Sequence, residues 1–337
     1  MGIRVVKLSK RIPNPLLRLL PTTGAGFSLA VIPALDIFDA PEKGSTEPAE
    51  LIRHAIRPNE KEARGRPPAQ LERESIETIQ SREVDDWIIE DLGLALAWIA
   101  PGEFLMGSPA SEEGRDEDET QHHVTITQGY WIGKTEVTYN QWDTIVGLDS
   151  KHPTTFSKDA PIEFVSWHDA SDFCLILTSR EQTSGRLPAG YRYALPTESQ
   201  WEHASRAGTS SPFFHGDRLS SGEANFDGNF PYGGAPKGRF LEKPTTVGQY
   251  APDRSGIFDT QGNLWEWCRD WYGRYNGNSV VDPRGPDHGK EKVIRGGSWF
   301  DNSRYCRAAM RMRTVPSNRR DNIGFRVALT PIGKGDY

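Results

Sequence analysis

The stretch GIFDTQGNLWEWCRDWY, residues 256–272, carries three tryptophans and two glycines within one short run. Gly262 permits a tight turn, and the aromatic run NLWEWCRDWY follows it directly. The same texture extends outward. Eight of the ten tryptophans lie between Trp131 and Trp299, and 33 glycines and 24 prolines punctuate the chain. Large aromatics separated by turn-formers predict a loop-rich fold pinned by buried rings, not a helical bundle. At 337 residues the chain can bury a full core as one large domain or two small ones.

Upstream, Thr138 with Gln141, Ser166 with Asp169, and Thr197 with Gln200 have capping-box spacing, which predicts three helix starts. The helix after Ser166 would place Trp167, Ala170, Phe173, Cys174 and Leu177 on one face, making Cys174 a core thiol. ALAWIAPGEFLMGS reads as strand, turn and strand, and VTITQGYWIGKTEVT (124–138) alternates like a strand pair. The acidic run SEEGRDEDETQHH (111–123) reads as a solvated loop, with metal binding as the sharper alternative. Past Ala207 no long helix is legible. Three early helices and short later strands define an α+β class.

The organisation is an N-terminal extension over 1–92, a main domain over 93–332 and a tail over 333–337. The extension carries a linker at 40–68 and an amphipathic helix near 70–92, expected to dock on the main domain, with a partner-binding segment as the alternative. GFSLAVIPAL (26–35) follows basic residues like a short signal segment, but Pro33 interrupts it. Cytoplasmic residence is expected, with export the alternative. No run reaches the eighteen or so apolar residues of a membrane span. The net charge of −6 and the lack of a basic stripe argue against nucleic acid as a main partner. Cys174, Cys268 and Cys306 show no C-x-x-C spacing, so neither a disulfide framework nor a zinc site is indicated.

Seven segments occur in a fixed order: GEFLMGSP, WIGKTEVTYNQW, PIEFVSWHDASDFC, LPTESQWEHASRAG, GIFDTQGNLWEWCRDWY, IRGGSW and NIGFRVA. Together they resemble the formylglycine-generating enzyme family, the sulfatase-modifying factors, over residues 95–332. The resemblance implies a loop-rich variant of the C-type lectin fold. It also implies a choice of functions, because family members include copper(I) oxidases of a substrate cysteine, sulfoxide synthases, siderophore-maturation proteins and ligand-binding proteins diversified by retroelements. It implies a Ca²⁺ site built from Asp259, Glu266 and the carbonyls of Gly262 and Leu264, a hard-oxygen set that suits this ion. A second Ca²⁺ site would use Asn225 and the carbonyl of Phe226. Lys237 and Arg239 stand where its other members are expected, so that site should be altered.

In the oxidases, a cysteine two residues past the G-G-S-W tryptophan and another five beyond it clamp Cu(I). Here those positions are Asp301 and Cys306. A carboxylate is a poor Cu(I) ligand. Arg304 and Arg307 flank Cys306 and could favour its thiolate, which is the case for chemistry with Ser298 and Trp299 beside it. A buried thiol with outward arginines is the plainer alternative. The eight histidines show no facial-triad spacing for non-heme iron. Arg295, Ser298 and Trp299 would floor a pocket, with Asp301, Asn302, Ser303, Arg304 and Tyr305 displayed at its rim. The expected function is a calcium-stabilised module that binds a peptide or protein. The alternative is an oxidoreductase acting on a cysteine or small thiol through Cys306.

Overall fold

Thr138, Ser166 and Thr197 accept hydrogen bonds from the backbone N–H of Gln141, Asp169 and Gln200, whose side chains return a bond to each cap residue. These reciprocal bonds satisfy helix-end donors that would otherwise be orphaned. They start α1 (Tyr139–Ile145), α2 (Trp167–Thr183) and α3 (Glu198–Arg206). The computed structural model describes residues 85–147 and 157–333, all within a compact unit, Ser81–Tyr337.

Twelve short strands complete the described part. The first sheet holds β1 (Trp87–Ile89), β2 (Leu94–Ile99), β5 (Tyr130–Gly133), β12 (Ala328–Pro331) and β6 (Tyr191–Ala194), in that spatial order. The second runs β10 (Arg311–Thr314), β9 (Lys292–Arg295), β7 (Trp265–Trp271), β11 (Ile323–Gly324). The third is β3 (Gly102–Met106), β4 (His122–Ile126), β8 (Val280–Val281). Few helices and small sheets match the α+β, loop-rich expectation.

The main core joins α1 and α2 to the first two sheets. Trp142 stacks on Phe173 at 5.7 Å, and Phe325 meets Phe173 edge-on at 5.4 Å. Ala170, Phe173, Cys174 and Leu177 form the buried face of α2. Emptying the Phe173 site would cost about 3–5 kcal/mol. Strand β7 is buried over its first four residues, Trp265 to Cys268. It therefore sits inside the domain and carries side chains to both faces.

Three expectations change. The helix predicted near 70–92 is replaced, where described, by β1 and a 3-10 turn over Glu90–Leu92; residues 70–84 lie outside the described residues. Pairing of Trp87–Ile89 with β2 supplies the backbone bonds that a helix would have made internally. Second, β4 and β5 both form but enter different sheets, so they are not a hairpin. Third, the acidic run is only in part a solvated loop: Ser111, Glu113 and Glu117 are exposed, but two of its acids turn inward. Glu119 is fully buried and accepts from both terminal nitrogens of Arg307, at 2.7 and 2.8 Å, while Glu112 takes the same guanidinium at 2.6 Å. A buried cation requires counter-charge, and this loop provides it.

Candidate functional site

Strand β9 ends at Arg295 and the chain turns through Gly296 and Gly297, both at positive φ. A Cβ at Gly297 would lie 2.9 Å from the Cys306 sulfur, so only glycine lets the turn close over that residue. Cys306 ends a 3-10 turn, Ser303–Cys306, capped by Asn302, whose side chain accepts from the Arg304 N–H. Its thiol is wholly buried against Phe213, Leu219, Ala224, Phe226 and Tyr232. Burial, and then the charge of Asp301, pushes the thiol well above its ordinary range. The flanking arginines do not offset this. Arg307 turns inward to Glu112 and Glu119, and Arg304 pairs with Asp116. The two arginines neither activate the thiol nor both point outward.

Asp301 is held from two sides. It accepts from the Trp265 indole N–H at 2.8 Å and from the Ser298 hydroxyl. Burial raises its carboxyl above the usual range. Ser298 in turn accepts from the Asn322 amide at 3.1 Å. Tyr305 meets Trp265 edge-on. Arg295 is fully buried and bonded to Glu202, Glu198 and the carbonyls of Ala308 and Ala309. It is a buttress beneath the turn and not an open pocket floor. The predicted polar rim is thus mostly engaged in internal bonds.

Apolar rings stand outside it. Phe300 is 62% exposed and Phe230 is 58% exposed. Half-buried Trp299 stacks on Phe240 and meets Phe300 edge-on. Phe230 is fixed beside the turn because its carbonyl accepts from both the N–H and the hydroxyl of Ser303. An aromatic group of this kind is the usual anchor of an interaction surface.

The acid turn lies where β7 begins. Asp259 and Asn263 have φ of 57° and 65°, and Gly262 has 96°. A Cβ at Gly262 would meet the Asn225 carbonyl oxygen at 2.3 Å, so glycine is required there. Asp259 accepts from the Gly248 N–H. Glu266 is fully buried and accepts from Nε and Nη2 of Arg326, each at 2.6 Å, and from the Trp201 indole at 2.7 Å. Its carboxylate is therefore committed to protein partners, unlike the free side-chain ligand expected from the sequence.

Glu136, which the sequence reading missed, joins these acids from the segment between β5 and α1. It accepts from the Asn263 amide at 2.9 Å through one oxygen, while its other oxygen is buried without a hydrogen-bond partner. Burial, then the charges of Asp259 and Glu266, pushes Glu136 well above the carboxylate range. Burial and Glu266 raise Asp259 to about 6, against the opposing pull of Gly248 and Arg326. The signal was present in WIGKTEVT, as an acid one residue before the buried Val137. At the expected second site the Asn225 amide donates to the Lys243 carbonyl and the Asn263 side chain, and Phe226 packs into the apolar cluster around Cys306.

With the fold and these two regions in view, the class is a loop-rich lectin-like domain with a closed G-G-S-W turn and a buried acid turn. A family model described as a sulfatase-modifying factor enzyme 1-like domain matches residues 93–331. The chain belongs to that family. It is 36% identical over 204 residues to the formylglycine-generating enzyme of Streptomyces coelicolor, covering 56% of this chain and 60% of that protein. It spans 60% or less of the length of the curated relatives it matches first. Among solved structures it is similar to PvdO from Pseudomonas aeruginosa, with a TM-score of 0.61 and 24% identity over 74% of this chain and 99% of that one. It is also similar to Treponema denticola variable protein 1, with a TM-score of 0.59 and 23% identity over 73% and 99%. Among the described residues no helix is long and apolar enough to cross a membrane.

Proposed function

We propose that the domain is a calcium-stabilised module that binds a peptide or protein segment. One observation carries this reading. Where the copper oxidases place their first cysteine, this chain has Asp301 locked between Trp265 and Ser298, and the remaining thiol, Cys306, is sealed in an apolar cluster. Copper capture by two soft thiolates has no counterpart in that arrangement. The Phe240–Trp299–Phe300 group, with the exposed Phe230 held by Ser303, supplies the binding surface, able to take apolar side chains from a partner.

The buried, unpartnered oxygen of Glu136 supports a Ca²⁺ site at the acid turn. Glu136, Asp259 and Glu266 bring three carboxylates to one buried place with one close cation, Arg326. When all three are ionised, two negative charges lack compensation, and an oxygen of Glu136 lacks any donor. Burial of unpaired charge is costly, and a divalent cation removes the cost. Asp259, Glu136 and the turn carbonyls of Gly262 and Leu264 would hold the ion. When bound, it supplies positive charge that fixes the start of β7. Among the described residues no group of three or more acidic, histidine or cysteine side chains is arranged to hold a metal ion by itself; in this reading the turn carbonyls complete the set.

The test has two arms. Cu(I) titration of wild type and Cys306→Ser should give the same weak, non-stoichiometric binding; stoichiometric copper lost in the variant would assign the oxidase activity instead. Peptides selected from a display library on the wild-type domain should lose binding to a Phe230→Ser/Phe300→Ser variant of unchanged Tm. Equal binding to that variant would remove the aromatic group from the proposal.

A further inference from the structure

Lys237 and Arg239, which stand where a second Ca²⁺ site would be completed, belong to a short run of positive charge. With Lys243 they are exposed, and the only acid in residues 237–243 is Glu242. None of the three cationic side chains has an ion-pair partner among the described residues. By contrast, Arg304 of the neighbouring 3-10 turn pairs with Asp116. The whole chain has a net charge of −6, so the sign is reversed on this loop.

Backbone bonds hold these charges against the aromatic group. The Gly238 N–H donates to the Gly228 carbonyl at 2.8 Å, which sets Lys237 and Arg239 beside the segment that leads to Phe230. Lys237 Nζ lies 5.9 Å from the centre of the Phe230 ring, a contact that orients the charge without neutralising it. The Asp227 N–H donates to the Asp301 carbonyl at 2.8 Å, and the Phe230 carbonyl accepts from Ser303. The same segment is thereby tied to the turn that displays Phe300. Phe240, between Arg239 and Lys243 in the chain, stacks on Trp299 at 6.5 Å. Apolar anchors and unpaired cations therefore share one surface.

We propose that the segment bound on this surface is acidic, with aspartate or glutamate beside its apolar anchors. This rests on the peptide-binding reading and names its ligand class. The aromatic side chains take the anchors. Lys237, Arg239 and Lys243 take the carboxylates at the rim, where complementary charge speeds encounter and selects the partner. A polyphosphate is a poorer match. Glu242 lies within the loop, and Asp321, whose carbonyl accepts from the Trp299 indole, is exposed too. A nucleic-acid backbone, charged at every step, would meet both acids, whereas a peptide can set neutral residues against them.

The test pans a random peptide display library on the full chain at low salt and follows the selected peptides by stopped-flow fluorescence. The selected pool should be enriched in Asp and Glu. Exchanging the acids of a selected peptide for Asn and Gln should weaken it by about tenfold, through a slower association that loses its salt dependence. Lys237→Gln/Arg239→Gln should weaken the acidic peptide by about fivefold with an unchanged Tm, and Glu242→Gln should strengthen it by about twofold. A pool without acidic enrichment would overturn the acidic ligand and leave the peptide reading standing. So would selected peptides that keep their affinity for Lys237→Gln/Arg239→Gln while losing it for Phe230→Ser/Phe300→Ser. Peptides that bind Phe230→Ser/Phe300→Ser unchanged, or no selectable peptide at all, would overturn both. Single-stranded poly(dT) that displaces a selected peptide at a lower concentration than the peptide itself would overturn the acidic segment and assign the surface to nucleic acid.

Discussion

Calcium should stabilise this domain more at pH 7.5 than at pH 5, and the buried acids give the size of the effect. In the metal-free fold Asp259 is raised to about 6 from an ordinary 3.8. A carboxylate with a raised folded pKa contributes stability that is complete below its unfolded pKa and is lost as pH rises through the folded value. For Asp259 that window is pH 4 to 6, and two units correspond to about 3 kcal/mol. Glu136 shifts in the same direction and deepens the loss. A cation bound to the same oxygens restores about 2.7 kcal/mol at a concentration of 100 times Kd. For a domain of this size that is a rise of about 5–10 °C in Tm. At pH 5 protons occupy part of the set already, so calcium has less to restore. The assay is differential scanning calorimetry in EGTA and in excess Ca²⁺ at both pH values. Glu136→Gln mimics the protonated acid and keeps an acceptor for the Asn263 amide. It should raise the metal-free Tm at pH 7.5 and shrink the calcium increment. An equal increment at both pH values, or a variant that lowers the metal-free Tm with no change in the increment, would refute the reasoning.

The three cysteines are buried and each thiol is pushed up, first by burial. Native protein at pH 8 should therefore release almost no chromophore from Ellman's reagent within minutes and all three equivalents in guanidinium; a fast native thiol would revive Cys306 as a reactive group. Arg307→Ala strands Glu119 and Glu112 beside a cavity and should cost about 3–5 kcal/mol by denaturant unfolding. Replacing Arg307 and Glu119 together, by Met and Gln, should recover part of that loss, and a double variant no better than the single would show that the pairing is not the source.

The helix starts were legible because each capping box closes within four residues, so sequence spacing fixes the geometry. The buried face of α2 followed from periodicity for the same reason. The ordered motifs around the aromatic runs identified the family and with it the fold. The acidic run was misread because its partner Arg307 lies 188 residues beyond Glu119, and composition near residue 115 carries no sign of it. Glu136 escaped notice likewise, since Asn263, which bonds it, is 127 residues away.

What the sequence determined by itself, then, were the α+β class, the helix starts and an aspartate in place of a cysteine at position 301, all properties of residue identity or of bonds made within a turn. Only the tertiary structure decided that Cys306 is sealed, that Arg295 and Arg307 are internal and that a third acid joins the turn at Asp259. Those outcomes depend on burial and charge compensation between distant segments, and neither exists until the chain has folded.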